Sequence, residues 1–278
     1  MRGLLSRCKV ARRLLRGTTA AATATWTEEP AGYSVATDQT LGLARPAGTG
    51  WIIYQAGGNN TTLVSDETSE PISPPDALQV NIPSGYTGGG GNEHQSYSLD
   101  SLTWREVFIG QTFKLSSNFD GTGSSGVQKL DHLWGYRNSG VASMIVPAAF
   151  GTGTSFTFQV RCQNFQASSN ATVDPDGDGS FNLTSGNGGT GQSTALSRGV
   201  WHRFGLQCIY NTGSNADGVI RAWLNGVKVI EVTNLVINTS GTKRWYDLGL
   251  NPTHFDSGWT SGATMAVSFG HCKISGKA

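Results

Sequence analysis

Residues 201–232 constrain the fold more than any other part of the sequence. They read as two long strands and the start of a third, joined by two turns. From Trp201 the chain alternates: His202, Phe204, Leu206, Cys208 and Tyr210 fall on one side, Arg203, Gly205, Gln207 and Ile209 on the other. A period of two marks a half-buried strand. Asn211 to Gly218 supplies a turn, since Gly tolerates positive φ and Asn and Asp cap their own backbone. Val219 to Leu224 is the next strand, closed by Asn225-Gly226. Asn-Gly between β-rich runs signals a type I′ hairpin, which needs positive φ twice. Val227 to Val232 runs back beside it. The pattern predicts that Phe204, Leu206, Cys208 and Tyr210 are buried between layers.

Three features of this stretch, Trp201-His-Arg-Phe204, Tyr210-Asn-Thr212 and Ala216 to Val229, carry a family resemblance. They resemble the strand-turn-strand signature of concanavalin A-like jelly rolls. The branch is the one that includes LamG-like domains and heparin-lyase-like or alginate-lyase-like polysaccharide lyases. Phe108 to Phe119, Gln128 to Trp134 and Phe269 to Gly276 are similar to further strands of that fold. The resemblance spans roughly residues 75–277 and implies a two-sheet antiparallel sandwich. A fold of this kind hosts many functions.

Composition agrees. Gly occurs 38 times in 278 residues, and helix formers are scarce beyond the N-terminus, which favours short strands and many turns. At least nine strands are expected, including Gly50 to Gln55, Ala77 to Pro83, Trp104 to Leu115, Gln128 to Tyr136, Ser155 to Phe165, Lys243 to Leu250 and Ala263 to Ile274. Ala167 to Ser193 reads as a long exposed loop, functional or disordered. The four glycines of Thr87 to Asn92 lack the Lys-Ser/Thr of a phosphate loop.

Residues 1–17 hold six cations and no acid, leaving 14 basic and 19 acidic residues in the remainder. That body has no basic field for nucleic acid. On a helical wheel Arg2, Lys9, Arg12, Arg13 and Arg16 share one face, and Leu4, Cys8, Ala11, Leu14 and Leu15 the other. Arg7 and Leu5 break the separation. The expectation is a basic amphipathic helix and linker over 1–25, then one jelly-roll domain over 26–278. Docking on neighbouring protein subunits, a membrane surface and organelle targeting compete as its role. It is not a good secretory signal, because no apolar core follows the charges. No stretch approaches the ~18 apolar residues of a membrane span. An extracellular or virion-surface location is favoured. Cys162, Cys208 and Cys272 lie in predicted strands without a CxxC pair and read as buried free thiols; a Cys162–Cys208 or Cys208–Cys272 disulfide is the other reading.

Candidate sites follow. Asp174-Pro-Asp176-Gly-Asp178-Gly179 matches the first half of a calcium loop, with Ser185 where the bidentate Glu of an EF-hand would stand. Ca²⁺ is therefore the expected cofactor if there is one. The lyase resemblance implies residues that neutralise a uronate carboxylate, abstract the adjacent proton and protonate the leaving oxygen. Lys129, His132, Tyr136, Arg161, Gln163 and Arg203 are the candidates. The lyase signatures Gln-x-His and Arg-Thr-Glu-Leu-Arg are missing. Strict alternation puts His132, Trp134 and Tyr136 opposite Lys129 and Asp131, so they share a cleft only if a bulge intervenes. Trp134, Trp223, Trp245, Tyr246 and Trp259 are candidates for stacking on sugar rings, or else core aromatics. No His-x-x-x-His or Gly-x-Ser-x-Gly motif is present. The expectation is a glycan-binding jelly roll docked on an assembly through residues 1–17. The alternatives are a polysaccharide lyase acting on a uronate-containing glycan, and a structural virion decoration or fibre protein.

Overall fold

The computed structural model describes residues 26–41, 51–55, 61–64, 69–72, 74, 76–88, 93–122, 124, 126–138, 141–166, 169–239, 245–250 and 259–278. The amphipathic helix expected over residues 1–17 and its linker lie outside them. Among the described residues no helix is long and apolar enough to cross a membrane.

Strands are numbered in chain order. They are β1 (Ser34–Thr40), β2 (Trp51–Gln55), β3 (Thr61–Val64), β4 (Ala77–Ile82), β5 (Glu93–Ser98) and β6 (Glu106–Leu115). Next come β7 (Val127–Lys129), β8 (Asp131–Asn138), β9 (Val141–Phe150), β10 (Phe156–Gln163), β11 (Phe181–Leu183) and β12 (Ala195–Leu196). The last are β13 (Trp201–Ile209), β14 (Gly218–Leu224), β15 (Val227–Leu235), β16 (Trp245–Leu250) and β17 (Met265–Lys277). They form two antiparallel sheets. The first runs β15-β14-β13-β6-β17-β4-β3, with β1 beside β17. The second runs β11-β10-β9-β8-β16-β5-β2, with β12 on β10 and β7 on β9. The expected all-β, two-sheet sandwich is what the chain forms.

Its core follows from alternation. On β13, Phe204, Leu206 and Cys208 are fully buried, as is Tyr210 just beyond it. Phe158 of β10 stacks on Phe204 with centroids 5.7 Å apart, joining the two sheets. The hairpin between β14 and β15 turns as the sequence implies, with φ of 51° at Asn225 and 82° at Gly226. Cys162, Cys208 and Cys272 are buried free thiols. Burial pushes the Cys162 and Cys208 thiols well above the usual range, so they behave as small apolar groups.

The long loop expected after β10 is exposed over much of its length, and it is not structureless. Residues 169–193 are folded onto the sandwich: β11 pairs with β10, and the asparagine side chains bond the backbone. The Asn170 side chain donates to the Val236 carbonyl at 3.1 Å and accepts from the Val236 amide at 2.9 Å. Asn187 donates to Val173 and Asn182 carbonyls. A Gly/Asn-rich composition here encodes side-chain-capped turns rather than disorder.

Candidate active site

Part of the outer face of the first sheet is covered by its own chain, while Gln79, Lys114 and Ser268 on the same sheet line an open groove. Trp26 packs edge-on against Phe108, and a Cβ on Gly110 would lie 2.6 Å from the Trp26 ring. Glu28 pairs with Arg203 at 3.3 Å, Glu29 with Lys273 at 2.7 Å, and Tyr33 donates to Glu106 at 2.7 Å. Arg203 therefore belongs to this structural cover. It does not join the other candidate catalytic residues, because its strand lies in the opposite sheet.

The outer face of the second sheet is different. β10 alternates Phe158, Val160 and Cys162 inward with Gln159, Arg161 and Gln163 outward. Across the ladder Gln159 stands opposite Ala148, Arg161 opposite Val146 and Gln163 opposite Met144. On the other flank of β9, Lys129 is opposite Ala148 and Trp134 opposite Met144. Paired residues share a face, so Lys129, Trp134, Gln159, Arg161 and Gln163 all point outward. His132, two residues before Trp134, points the same way and stacks on it at 5.8 Å with ring planes 13° apart.

Strict alternation does not hold here. Between Lys129↔Ala148 and Leu133↔Ile145 the chain advances four residues against three on β9. The extra residue is a bulge at Leu130–Asp131. It puts Lys129 on the face of His132 and Trp134, while Leu130 and Leu133 join the core; His132 is itself buried, at 3% exposure.

The electrostatics of this face are unusual. Among the described residues no hydrogen bond or carboxylate engages the Lys129 ammonium or the Arg161 guanidinium. Burial, and then the Arg161 charge, lower the Lys129 pKa from its ordinary value. Asp247 of β16 lies opposite Trp134 on one side and Ser98 on the other. Burial raises its carboxyl to about 6, and its Oδ1 has no hydrogen-bond partner among the described residues. Gln159 and Asp247 join this face without being among the residues expected from the sequence. The period of two on β10 carries Gln159 directly, and a lone acid between Trp245 and Leu248 was the signal for Asp247.

The aromatic candidates divide. Trp134 is half-buried on this face. Trp245 is wholly buried, 4.6 Å from Tyr210, with its indole donating to the Arg105 carbonyl. Trp259 is 2% exposed. Both are core residues, and the expectation that they stack on sugars is corrected: large apolar surface was drawn between the sheets. Trp223 lies on the outer face of the first sheet against Phe108. Tyr136 and Tyr246 sit on β8 and β16, with side chains outside the described residues. Asp174, Asp176 and Asp178 gather before β11 with ligand oxygens within 4.8 Å of one another. Burial, and then the neighbouring Asp176 and Asp178 carboxylates, raise the Asp174 pKa, against a Gly179 amide that lowers it.

A polysaccharide lyase family model matches residues 105–258, more than half of the chain. The chain belongs to the polysaccharide lyase family. The match takes in β6 to β16 and with them every residue of the outward polar face named above except Ser98. Solved structures repeat the fold. Alginate lyase vAL-1 from a Chlorella virus superposes with a TM-score of 0.65 at 12% identity, covering 87% of this chain and 100% of that one. An endo-β-1,4-glucuronan lyase from the fungus Trichoderma reesei gives 0.57 at 16% identity, covering 88% and 96%. A mutant of alginate lyase Aly36B in complex with alginate tetrasaccharide gives 0.54 at 15% identity, covering 82% and 97%. At these identities the likeness concerns the fold. No curated protein sequence matches the chain.

Proposed function

We propose that the protein is a polysaccharide lyase that cleaves a uronate-containing glycan by β-elimination on the outer face of β7–β10 and β16. The observation that carries this reading is the pair of outward cations, Lys129 opposite Ala148 and Arg161 opposite Val146, with no carboxylate engaging either of them among the described residues. A polyuronate supplies the missing anion. Arg161, with Gln159 and Gln163 beside it, binds the sugar carboxylate and stabilises the charge that builds on it. The Lys129 amine, its pKa lowered by burial, takes the proton from the carbon next to that carboxylate. The electron pair forms a carbon–carbon double bond, and the bond to the glycosidic oxygen breaks. The ammonium so formed is an acid on the same face and can protonate the departing oxygen. Trp134, stacked on His132, offers an apolar ring face to a neighbouring sugar.

Glycan binding without chemistry accounts for Trp134 but leaves the lowered lysine unused, so the lyase reading is preferred. The neighbours named as alginate and glucuronan lyases suggest those two polymers as first substrates. The test is incubation with alginate, glucuronan and a neutral glucan, following ultraviolet absorbance from the new unsaturated uronate. Absorbance should rise with a polyuronate alone. Binding of a polyuronate without unsaturated product would return the reading to a lectin-like protein.

A further inference from the structure

The turn before β11 carries a second feature, independent of the proposed active site. Asp174, Asp176 and Asp178 each turn one carboxylate oxygen into a space where all three oxygens lie within 4.8 Å of one another. Like charges at that separation repel, and an acidic turn free in solvent would spread them. Asp174 is not in solvent: it is 1% exposed. Its Oδ2 accepts from the Gly179 amide at 2.9 Å. Its Oδ1 is buried and has no hydrogen-bond partner among the described residues. A buried carboxylate oxygen in a cluster of three carboxylates lacks a positive partner.

We propose that this turn binds Ca²⁺. The donors are hard oxygens without a nitrogen or sulfur ligand in the cluster, which selects Ca²⁺ or Mg²⁺ over zinc and copper. Spacing then favours Ca²⁺. Alternate acids at the first, third and fifth positions are followed by Gly179 at the sixth, where φ is 82°. The backbone carbonyl of Ser180 and the side chain of Asn182 stand at the seventh and ninth. A calcium loop uses these positions, and its irregular six-to-eight-fold shell suits a flexible turn better than the strict octahedron of Mg²⁺. Ser185 at the twelfth position removes the bidentate acid, so affinity falls in the weak range of extracellular modules, ~10⁻⁴–10⁻³ M.

The ion would act on the edge of the sheet that carries the polar face. Gly179 accepts from the Phe165 amide at 2.9 Å, two residues beyond Gln163. β11 begins at Phe181, and Asn182 pairs with Arg161. Fixing the turn fixes this edge.

The test is calcium titration of the full chain by calorimetry, with melting curves in calcium and in chelator. One calcium per chain is expected, with a melting temperature about 3–8 °C higher in ~10 mM calcium than in chelator, and a smaller rise in equal magnesium. The exposed pair Asp176→Asn and Asp178→Asn should abolish both heat and rise while melting in chelator no lower than the parent, since the substitutions also relieve the repulsion. Asp176→Asn alone should weaken both. A parent protein that takes up no calcium and melts alike in both buffers overturns the site. So does a calcium response that survives the double substitution, or an equal response to magnesium.

Discussion

The backbone amide of Leu130 donates to the carbonyl of Pro147 across 2.9 Å, and Pro147 has no amide with which to answer. In an antiparallel ladder the N–H and C=O of one residue point to the same neighbour. The vacancy left by the proline ring therefore faces the junction of β7 and β8, where the extra residue sits. Proline inside a sheet belongs at an edge or a bulge. Gln128 closes the junction, its buried amide donating to the Lys129 carbonyl at 2.9 Å. One imino acid on β9 thus explains why Lys129 shares a face with His132 and Trp134.

If Lys129 is the base, Lys129→Ala should lower turnover by about 10²–10⁴-fold while leaving the melting temperature near that of the parent. Lys129→Arg should not rescue it, since a guanidinium stays protonated. The amine works only when deprotonated. Activity should therefore rise with pH along a limb centred below the ordinary lysine value of 10.5, because burial and Arg161 lower this pKa. A flat profile, or an active Lys129→Arg enzyme, would remove Lys129 from the mechanism.

Pro147→Ala tests the bulge. The new amide faces the buried junction of β7 and β8, where it either goes unpaired at a cost of about 1–3 kcal/mol or draws the junction into a regular hydrogen-bonded pair. Rearrangement would turn Lys129 away from His132. Activity should fall by more than the loss of stability accounts for, which kinetics measured well below the melting temperature will show. Unchanged kinetics in a stably folded variant would mean that the bulge does not depend on the proline.

Much of this was legible in the sequence, for identifiable reasons. The meander from β13 to β15 was readable because alternation and Asn225-Gly226 are local signals. Cys162, Cys208 and Cys272 were readable as apolar strand positions. The site was only half legible. Arg161 and Gln163 follow from simple alternation on β10, but Lys129 and His132 do not, because the parity of one strand was set by a proline on another. Burial of Trp245 and Trp259 was not readable either: which face of a strand meets the core depends on pairing partners distant in sequence. The role of Arg203 is not legible locally either, because its acid, Glu28, lies 175 positions away in the sequence.

Asp247 gives a pH prediction for stability. Its carboxyl rises from 3.8 to about 6, chiefly through burial. A carboxyl whose pKa is raised on folding makes the native state bind protons more tightly. Stability is then full below the unfolded value and declines as pH rises through about 6. Asp247→Asn should remove that decline. Above pH ~6.5 the variant should be more stable by at most about 2 kcal/mol, allowing for the partial exposure of the group. Denaturant melts at pH ~4 and ~7 check this: the gain should be present at the higher pH and absent at the lower. A gain of equal size at both would mean that ionisation of Asp247 is not the cause.

The four tryptophans named as sugar platforms should separate by experiment. Trp134 is half-buried on the polar face beside His132, so Trp134→Ala should raise KM for a polyuronate about tenfold, equivalent to ~1.4 kcal/mol, with a smaller change in kcat. Trp223 stands on the far sheet with Phe108, and Trp223→Ala should leave KM alone. Trp245 and Trp259 are core residues at 0% and 2% exposure. Replacing either with Ala should cost about 3–5 kcal/mol of stability, and any loss of activity should follow the unfolded fraction. Kinetics on glycan fragments of increasing length sharpen the comparison. A Trp134 contact to a neighbouring sugar appears only once the fragment is long enough to reach it. If Trp134→Ala leaves KM unchanged at every length while Trp223→Ala raises it, the glycan lies on the first sheet and the proposed face is the wrong one.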